Sequence, residues 1–354
     1  MGVRGIETLL SESYRYPEVV ADQLCNLFDR SCTMLPFGER TFPDRMAEFH
    51  EYTGSWPSDA DASAESVNSD LLDRTDEVES FFAETLWSDI LDPTVEGFST
   101  ELVVAPYRDT PFESAIRADY TPRWKAEAYL FTTGEASDVF KTIGEAKRDY
   151  LRAHRDGVHP TAAAKDHKLT EIRVKSELFE YPECCTAQFV EERERRFDLI
   201  LDIGSERIQE LQRSHDDPAE VRSAFKRELE SRGVSPTELN SESRIVEQLE
   251  YINVGEYFDE WSYDRLNEFY DQRSGEPLPE FFYAFFTAEF YPHHPRCEAA
   301  IAVGQRIETE LERTKPELVP VYRMALMTHV FSTLGFDDHG LYRRLLRDSF
   351  HDVG

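Results

Sequence analysis

Residues 179–213 read FEYPECCTAQFVEERERRFDLILDIGSERIQELQR, and this stretch decides the class of the fold. A short aromatic corner with one proline leads into a long run in which apolar and charged residues recur at helical spacing. Proline is favoured at the first position of a helix, where its missing N–H leaves no hydrogen bond unmade, so Pro182 predicts a helix over residues 183–213. Similar patterns predict further helices over residues 167–179, 217–232, 241–253, 262–272, 279–289, 297–313 and 316–334.

Strand signals are few and lie before residue 135. The apolar segments 102–105 and 126–132 are short and bounded by proline or glycine. The second leads into an amphipathic helix that carries Val139, Ile143 and Leu151. The expected fold is therefore mainly α, in the α+β class, as a helix-rich domain with a small β-sheet contributed by residues around 100–132.

The composition before residue 100 changes along the chain. Residues 6–50 are expected to form helices and turns, and residues 76–91 a further helix. Between them, residues 54–66 are small, polar and acidic, which is typical of a mobile surface loop. We therefore expect two regions, namely residues 1–100, an acidic and mostly helical N-terminal region with a flexible loop near 54–70, and residues 101–354, a helix-rich core domain that carries the cysteine and histidine segments.

The chain is strongly acidic, with 70 Asp and Glu against 39 Lys and Arg and a net charge of −31. Only eight of the basic residues are lysine, and the acidic residues are spread over the whole length. This balance resembles proteins of salt-accumulating archaea, since a Debye length of roughly 3 Å at 1 M salt screens the repulsion between surface carboxylates. We therefore expect a salt-adapted protein.

The same composition argues against several partners. No apolar run approaches the roughly 20 residues of a transmembrane helix, and the N-terminus lacks the apolar region of a signal peptide. We therefore expect a cytoplasmic protein with no membrane partner. Nucleic acid is not expected either, because the densest basic run, residues 191–196, reads EERERR and is interpreted as a solvated helix face with i,i+4 ion pairs. The sequence does not determine a protein or small-molecule partner.

Two distant segments hold the densest group of reactive side chains. The first, FEYPECC, covers residues 179–185, and the second, FYPHHPRC, covers residues 290–297. If the prolines two residues before Cys184 and Cys297 both take the first helical position, these cysteines occupy equivalent places in the first turn of their helices. Backbone N–H groups there stabilise the thiolate, which is the form that binds metals, although neighbouring glutamates oppose it.

Three arrangements of these segments are open. The predicted metal ligands are Cys184, Cys185, His293, His294 and Cys297. A tetrahedral zinc site would take the three thiols and one of the two histidines, although adjacent cysteines point about 100° apart on a helix. Alternatively, Cys184 or Cys185 is a nucleophile with one of the histidines as its base. In the third arrangement the cysteines are core residues, since free cysteine is among the most buried residue types.

Other cysteines and histidines are expected to be structural. Five cysteines form an odd, sparse set, which argues against a disulfide framework. Cys25 and Cys32 lie seven residues apart, on one face of a predicted helix, which is typical of core packing. His329 lies among apolar residues of a predicted helix and is expected to be a core or helix-interface histidine.

The Tyr-Pro-x-Cys-Cys pattern at residues 181–185, with residues 290–297 downstream, resembles an archaeal protein family known only as domain of unknown function 483. On this resemblance the chain is a haloarchaeal member, and the resemblance covers residues from about 125 to 335. Members of the family often carry a further cysteine in the downstream segment, where this chain has His293 and His294, so an all-thiolate site is disfavoured. The resemblance implies no reaction.

The leading hypothesis is therefore a cytoplasmic, salt-adapted protein that binds a transition metal such as zinc through its cysteine and histidine segments. One alternative is a non-catalytic helical interaction or structural protein whose cysteines are core residues. The other is a metal-free, thiol-dependent enzyme. No complete signature of a known reaction surrounds the thiols, so catalytic residues are unknown and enzymatic activity is left open.

Overall fold

Over the residues that it describes, the computed structural model is mainly helical with a small antiparallel sheet, which confirms the expected mainly α, α+β class. It describes residues 25–26, 29–30, 32–37, 43–53, 64–87, 99–107, 123–131, 138–156, 158, 160–215, 218–234, 241–251, 277–287 and 290–334.

The described helices are numbered in chain order. They are α1 (Pro43–Thr53), α2 (Ala64–Phe81), α3 (Asp138–Arg155), α4 (Pro160–Leu178), α5 (Glu183–Ile203), α6 (Ser205–Arg213), α7 (Pro218–Ser231), α8 (Ser241–Tyr251), α9 (Glu298–Thr314) and α10 (Val319–Thr333). A π-helical turn, Phe82–Trp87, continues α2, and 3₁₀ helices cover Glu280–Phe285 and Pro316–Leu318. In the described part of the chain, no helix combines the length and the hydrophobicity that a membrane span requires.

Most of the predicted helices after residue 165 are present. The prediction over residues 183–213 is wrong in one respect, because Gly204 separates α5 from α6. Gly204 has a φ of 81°, a conformation that residues with a Cβ rarely adopt, so the helix ends there. The segment predicted over residues 279–289 forms the shorter 3₁₀ helix Glu280–Phe285. Residues 262–272 lie outside the described part of the chain.

Three antiparallel strands form the sheet in the order β1-β3-β2. They are β1 (Cys32–Phe37), β2 (Ser99–Tyr107) and β3 (Arg123–Phe131). The last two strands confirm the predicted sheet around residues 100–132. β1 corrects the expectation of only helices and turns over residues 6–50. A short apolar run does not reveal its period, and Pro36 is compatible with β1 because an edge strand tolerates proline.

The register places Cys32 of β1 and Ser99 of β2 opposite Phe131 of the central strand β3. Cys32 therefore lies on a strand and does not share a helical face with Cys25, which corrects the interpretation of their seven-residue spacing. Both thiols are buried, Cys25 in the main core and Cys32 in a smaller cluster with Phe179 and residues of the sheet.

The prediction of a flexible loop near residues 54–70 is wrong for the second half of that range. Residues 64–70 form the first turns of α2, whereas residues 54–63 lie outside the described residues. The composition of residues 64–70 is small and acidic, like that of a linker. However, Leu72, Val78 and Phe82 follow at helical spacing and pack into the main core. This packing, rather than local propensity, accounts for the helix.

The main core is built around the 3₁₀ helix Glu280–Phe285 and α10. Residues 321–331 of α10 are all buried, and Phe286 lies fully buried beside them. Phe49 of α1 and Phe82 belong to the same cluster, with ring centroids 5.6 Å apart in an edge-on arrangement. Side chains from before and after residue 100 thus share one hydrophobic cluster, while the division into two regions at residue 100 stays a prediction.

Several polar groups of this core are paired. Glu308 of α9 accepts hydrogen bonds from Arg323 Nη2 at 2.7 Å and from the Tyr283 hydroxyl at 3.0 Å. His329 is buried in α10, as expected, with Nδ1 3.2 Å from the Phe285 carbonyl oxygen. Burial lowers the pKa of His329 to about 4, so the ring is neutral at pH 7.

Gly304→Ala is expected to lower the free energy of unfolding by about 1–3 kcal/mol, the usual range for overpacking. A Cβ at residue 304 of α9 would lie 2.2 Å from the carbonyl oxygen of Tyr283, which is backbone and cannot rotate away. Denaturant unfolding measures the loss. Gly144→Ala in α3 is the matched control, because a Cβ there meets only the end of the Arg148 side chain at 4.0 Å. Equal stability of Gly304→Ala and the wild type would contradict this close packing.

Candidate metal centre

The first cysteine pair lies in the first turn of α5. Pro182 precedes the helix with a φ of −55° and a ψ of 127°, and its carbonyl oxygen accepts the N–H groups of Cys185 at 2.9 Å and Thr186 at 3.0 Å. The helix therefore begins at residue 183, as predicted, but Pro182 is its N-cap and does not take the first helical position that was expected for it. The φ of proline suits both places, and only ψ, which proline does not fix, separates them.

The third cysteine is placed by a turn rather than by a helix. The Cys297 N–H bonds to the His294 carbonyl oxygen at 2.9 Å, which puts Pro295 at the second position of a four-residue turn, where its fixed φ is favoured. Cys297 then caps α9 with a ψ of 108°, and its carbonyl oxygen accepts the Ile301 N–H. The expected equivalence of Cys184 and Cys297 is therefore wrong, because only Cys184 lies inside a helix.

The two segments nevertheless bring four ligand atoms together. The Cys184 and Cys297 sulfurs are 3.7 Å apart, the Cys185 and Cys297 sulfurs 3.6 Å, and the adjacent Cys184 and Cys185 sulfurs 4.0 Å. His293 Nδ1 lies 3.3 Å from the Cys185 sulfur. All four atoms lie within 4.8 Å of one another, so this group, called the Cys/His cluster below, could hold a metal ion.

Four of the six distances between ligand atoms of the Cys/His cluster agree with tetrahedral coordination of zinc. A Zn–S distance of about 2.3 Å separates two sulfur ligands by about 3.8 Å in tetrahedral geometry, and the observed range is 3.6–4.0 Å. A Zn–N distance of about 2.0 Å brings nitrogen and sulfur to about 3.5 Å, close to the observed 3.3 Å. The divergence expected of adjacent cysteines on a helix does not prevent their sulfurs from converging.

His294 lies outside the Cys/His cluster. Its Nδ1 accepts the backbone N–H of Arg296 at 3.0 Å, within the turn that leads to Cys297. Of the five predicted ligands, the structure therefore brings together Cys184, Cys185, His293 and Cys297 and leaves His294 aside.

Two thiols of the Cys/His cluster are held in the protonated form when no metal ion is bound. Burial raises the pKa of the Cys185 thiol well above its ordinary value, and burial together with the Cys297 thiol raises the pKa of Cys184. A thiolate at Cys184 would also repel one at Cys185, which opposes ionisation of both. A bound metal ion reverses this preference, since a coordinating thiol is deprotonated outright.

A second layer of contacts holds the histidine segment against α5. The His293 N–H donates to the Cys185 sulfur at 3.4 Å. Arg244 of α8 donates to the His293 carbonyl oxygen, and its Nε lies 2.6 Å from Glu192 Oε1 on α5. Gln188 also donates to Glu192, at 3.1 Å. Such outer contacts orient ligands and are as much a part of a metal site as the ligands themselves.

Sequence reasoning missed this support. Glu192 belongs to the EERERR run that was interpreted as a solvated face, yet it is buried. One local signal was available, because Glu192 follows the buried Cys185 by seven residues, two turns along the same side of α5. Nothing in the sequence near Arg244 indicates its contact with the histidine segment.

No protein-family model, curated protein or solved structure matches the chain significantly. The resemblance based on the Tyr-Pro-x-Cys-Cys pattern therefore stays a prediction.

Proposed function

We propose that this chain binds one zinc ion through Cys184, Cys185, His293 and Cys297, and that the ion fastens the start of α5 to the turn before α9. The close approach of the four ligand atoms carries the proposal, because all of them lie within 4.8 Å of one another and the three sulfurs are 3.6–4.0 Å apart. Three sulfurs and one imidazole suit zinc, and four protein ligands leave no open position for substrate. The proposed role of the ion is accordingly structural.

Metal analysis of the purified protein tests this proposal. We expect about one equivalent of zinc in the wild type and less than about a tenth in a Cys184→Ala, Cys297→Ala double variant, because two ligands cannot hold the ion. His293→Ala and His294→Ala form a matched pair of neighbouring substitutions. The first is expected to weaken zinc binding strongly, and the second to leave it unchanged. Equal zinc binding by the two histidine variants would contradict the proposed ligand set.

One observation favours a thiol-dependent enzyme as the second candidate, namely the 3.3 Å contact between the Cys185 sulfur and His293 Nδ1. A histidine at this distance can activate a thiol. Against it, Cys185 is only 1% exposed, and burial raises its pKa. Labelling with iodoacetamide and mass spectrometry separates the candidates. Zinc protects all three thiols, whereas an activated thiol reacts far faster than the others in metal-free protein.

The third candidate, a non-catalytic protein whose cysteines only pack the core, predicts a different pair of results. The protein would contain no metal, and its thiols would stay inert to alkylation until unfolding. The exposure of Cys184 argues against this candidate, because a core cysteine has no reason to reach the surface beside two other thiols.

The net charge of −31 supports a second part of the proposal, a cytoplasmic protein adapted to high salt, as in the archaeal family that the Tyr-Pro-x-Cys-Cys pattern resembles. We expect the circular dichroism of the helices to be lost at about 0.05 M KCl and regained at about 3 M, because salt screens the carboxylates. Sodium sulfate at equal ionic strength is the control, because it should restore the spectrum to the same extent as KCl if screening alone is the cause. An unchanged spectrum across this range would contradict salt adaptation.

A further inference from the structure

A cavity of about 120 Å³ lies beside the Cys/His cluster, where α4, the start of α5 and residues 290–291 meet. The Cys185 side chain forms part of its wall. Five aromatic side chains also line it: Phe179, Tyr181, Phe189, Phe290 and Tyr291. Their rings offer flat apolar surfaces, and Tyr181 and Phe290 pack with centroids 4.8 Å apart.

The volume of this cavity indicates the size of its ligand. An apolar cavity of roughly 150 Å³ in a protein core holds one benzene molecule. The cavity beside the Cys/His cluster has a volume of about 120 Å³ and is about half-open to solvent. It therefore takes at most one aromatic ring, whose small substituents extend beyond the enclosed volume, and a nucleotide or a peptide is too large.

One polar group in the wall lacks a partner. The Thr186 hydroxyl is buried, and no hydrogen-bond partner for it is found among the residues that the structure describes. The backbone N–H of Thr186 is engaged by the Pro182 carbonyl oxygen at 3.0 Å. The hydroxyl oxygen has almost no accessible surface, so a hydrogen bond to a ligand in the cavity requires rotation of the Thr186 side chain about χ1. A buried, unpaired hydroxyl is unfavourable and is relieved by a ligand that forms the hydrogen bond.

The charge in the wall is already neutralised. Lys175 lines the cavity, but its ammonium lies 3.0 Å from both carboxylate oxygens of Glu127 and 2.8 Å from Glu171. An anionic ligand would have to compete with these carboxylates, and a cationic one would meet the ammonium. A neutral ligand avoids both costs.

We propose that this cavity binds a small neutral molecule with one aromatic ring and one hydroxyl substituent, whose hydroxyl pairs with Thr186. The site shares Cys185 with the Cys/His cluster, but the inference does not depend on the identity of the bound ion. A ligand here would rest against a cluster residue, which places a small-molecule site next to the proposed zinc.

Fluorine NMR of the full-length protein tests the proposal with 4-fluorophenol and 4-fluorotoluene, two probes of nearly equal shape. We expect both to bind saturably, with 4-fluorophenol the tighter. Thr186→Val keeps the shape of the side chain and removes the hydroxyl. It should weaken the binding of 4-fluorophenol about tenfold, the effect of one lost hydrogen bond, and leave the affinity for 4-fluorotoluene unchanged. An equal effect on the two probes would overturn the assignment of Thr186.

Cavity-filling variants locate the site. Ser176→Leu and, independently, Ile172→Phe should abolish binding of both probes, and circular dichroism identifies any variant that fails to fold. Unchanged binding in both folded variants, or no binding to the wild type, would overturn the proposal. Zinc content is measured on the same samples. Zinc-free protein that binds 4-fluorophenol contradicts only the proposed metal site, whereas zinc-loaded protein that binds neither probe contradicts only the ligand site.

Discussion

Chelation of the bound zinc is expected to lower the free energy of unfolding by at least about 4 kcal/mol, the stabilisation given by a ligand at a thousand times its dissociation constant. The ligands come from segments 108 positions apart, measured from Cys185 to His293. The unfolded chain has no such pre-arranged set, so the ion binds the folded state far more tightly. Guanidinium unfolding with and without chelator, followed by circular dichroism at constant ionic strength, measures the difference.

Two variants separate loss of the ion from loss of packing. Cys297→Ser nearly preserves the side-chain volume and removes a ligand, so it should resemble the chelated wild type and show little response to chelator. His294→Ala changes a ring just outside the Cys/His cluster and should lose as much stability on chelation as the wild type. A wild type whose unfolding midpoint does not respond to chelator would contradict a structural zinc.

The ligand candidates were predictable from the sequence because cysteine and histidine are rare in this chain and concentrated in two segments. The choice between His293 and His294 was not predictable. It depends on the turn closed by the Cys297 N–H, which turns His294 toward the Arg296 backbone and leaves His293 beside Cys185. Two adjacent histidines carry the same local signal, so only the path of the chain distinguishes them.

The supporting contacts could not be predicted for a related reason. Glu192 looks like any carboxylate in a mixed-charge helix, and its burial depends on Arg244, which lies 52 positions away on α8. β1 is a similar case, because Cys32–Phe37 becomes a strand by pairing with β3, about a hundred positions later. Helices such as α7 and α9, whose hydrogen bonds are local, followed from their periodicity within a few residues.

Lys175→Met is expected to destabilise the fold by about 3–5 kcal/mol, because it removes one member of a buried group of charges. Lys175 Nζ lies 3.0 Å from Glu127 of β3 and 2.8 Å from Glu171 of α4. Lys147 of α3 lies 3.3 and 3.1 Å from the same two carboxylates. Glu127 is only 1% exposed, so water does not replace the lost partner.

The acid response of this charged group gives a second measurement. Burial alone would raise the pKa of Glu171, but Lys175 and Lys147 lower it from 4.5 to about 2. As the pH falls, Glu171 therefore binds a proton in the unfolded chain before it does so in the folded protein. Its contribution to stability is complete above about pH 4.5 and is lost as the pH falls toward 2. In Lys175→Met this acid-dependent part should shrink, because one of the two ammonium groups that lower the pKa is gone.

A Lys175→Met, Glu127→Gln double variant tests whether the loss comes from the uncompensated charge. It removes one charge of each sign, leaves Lys147 with Glu171, and keeps an acceptor for the Tyr129 hydroxyl, which lies 2.7 Å from Glu127. We expect it to recover most of the stability lost in the single variant. Zinc content should stay near one equivalent in both, because none of the four charged residues belongs to the Cys/His cluster. A single variant as stable as the wild type, with unchanged acid unfolding, would mean that water compensates these charges.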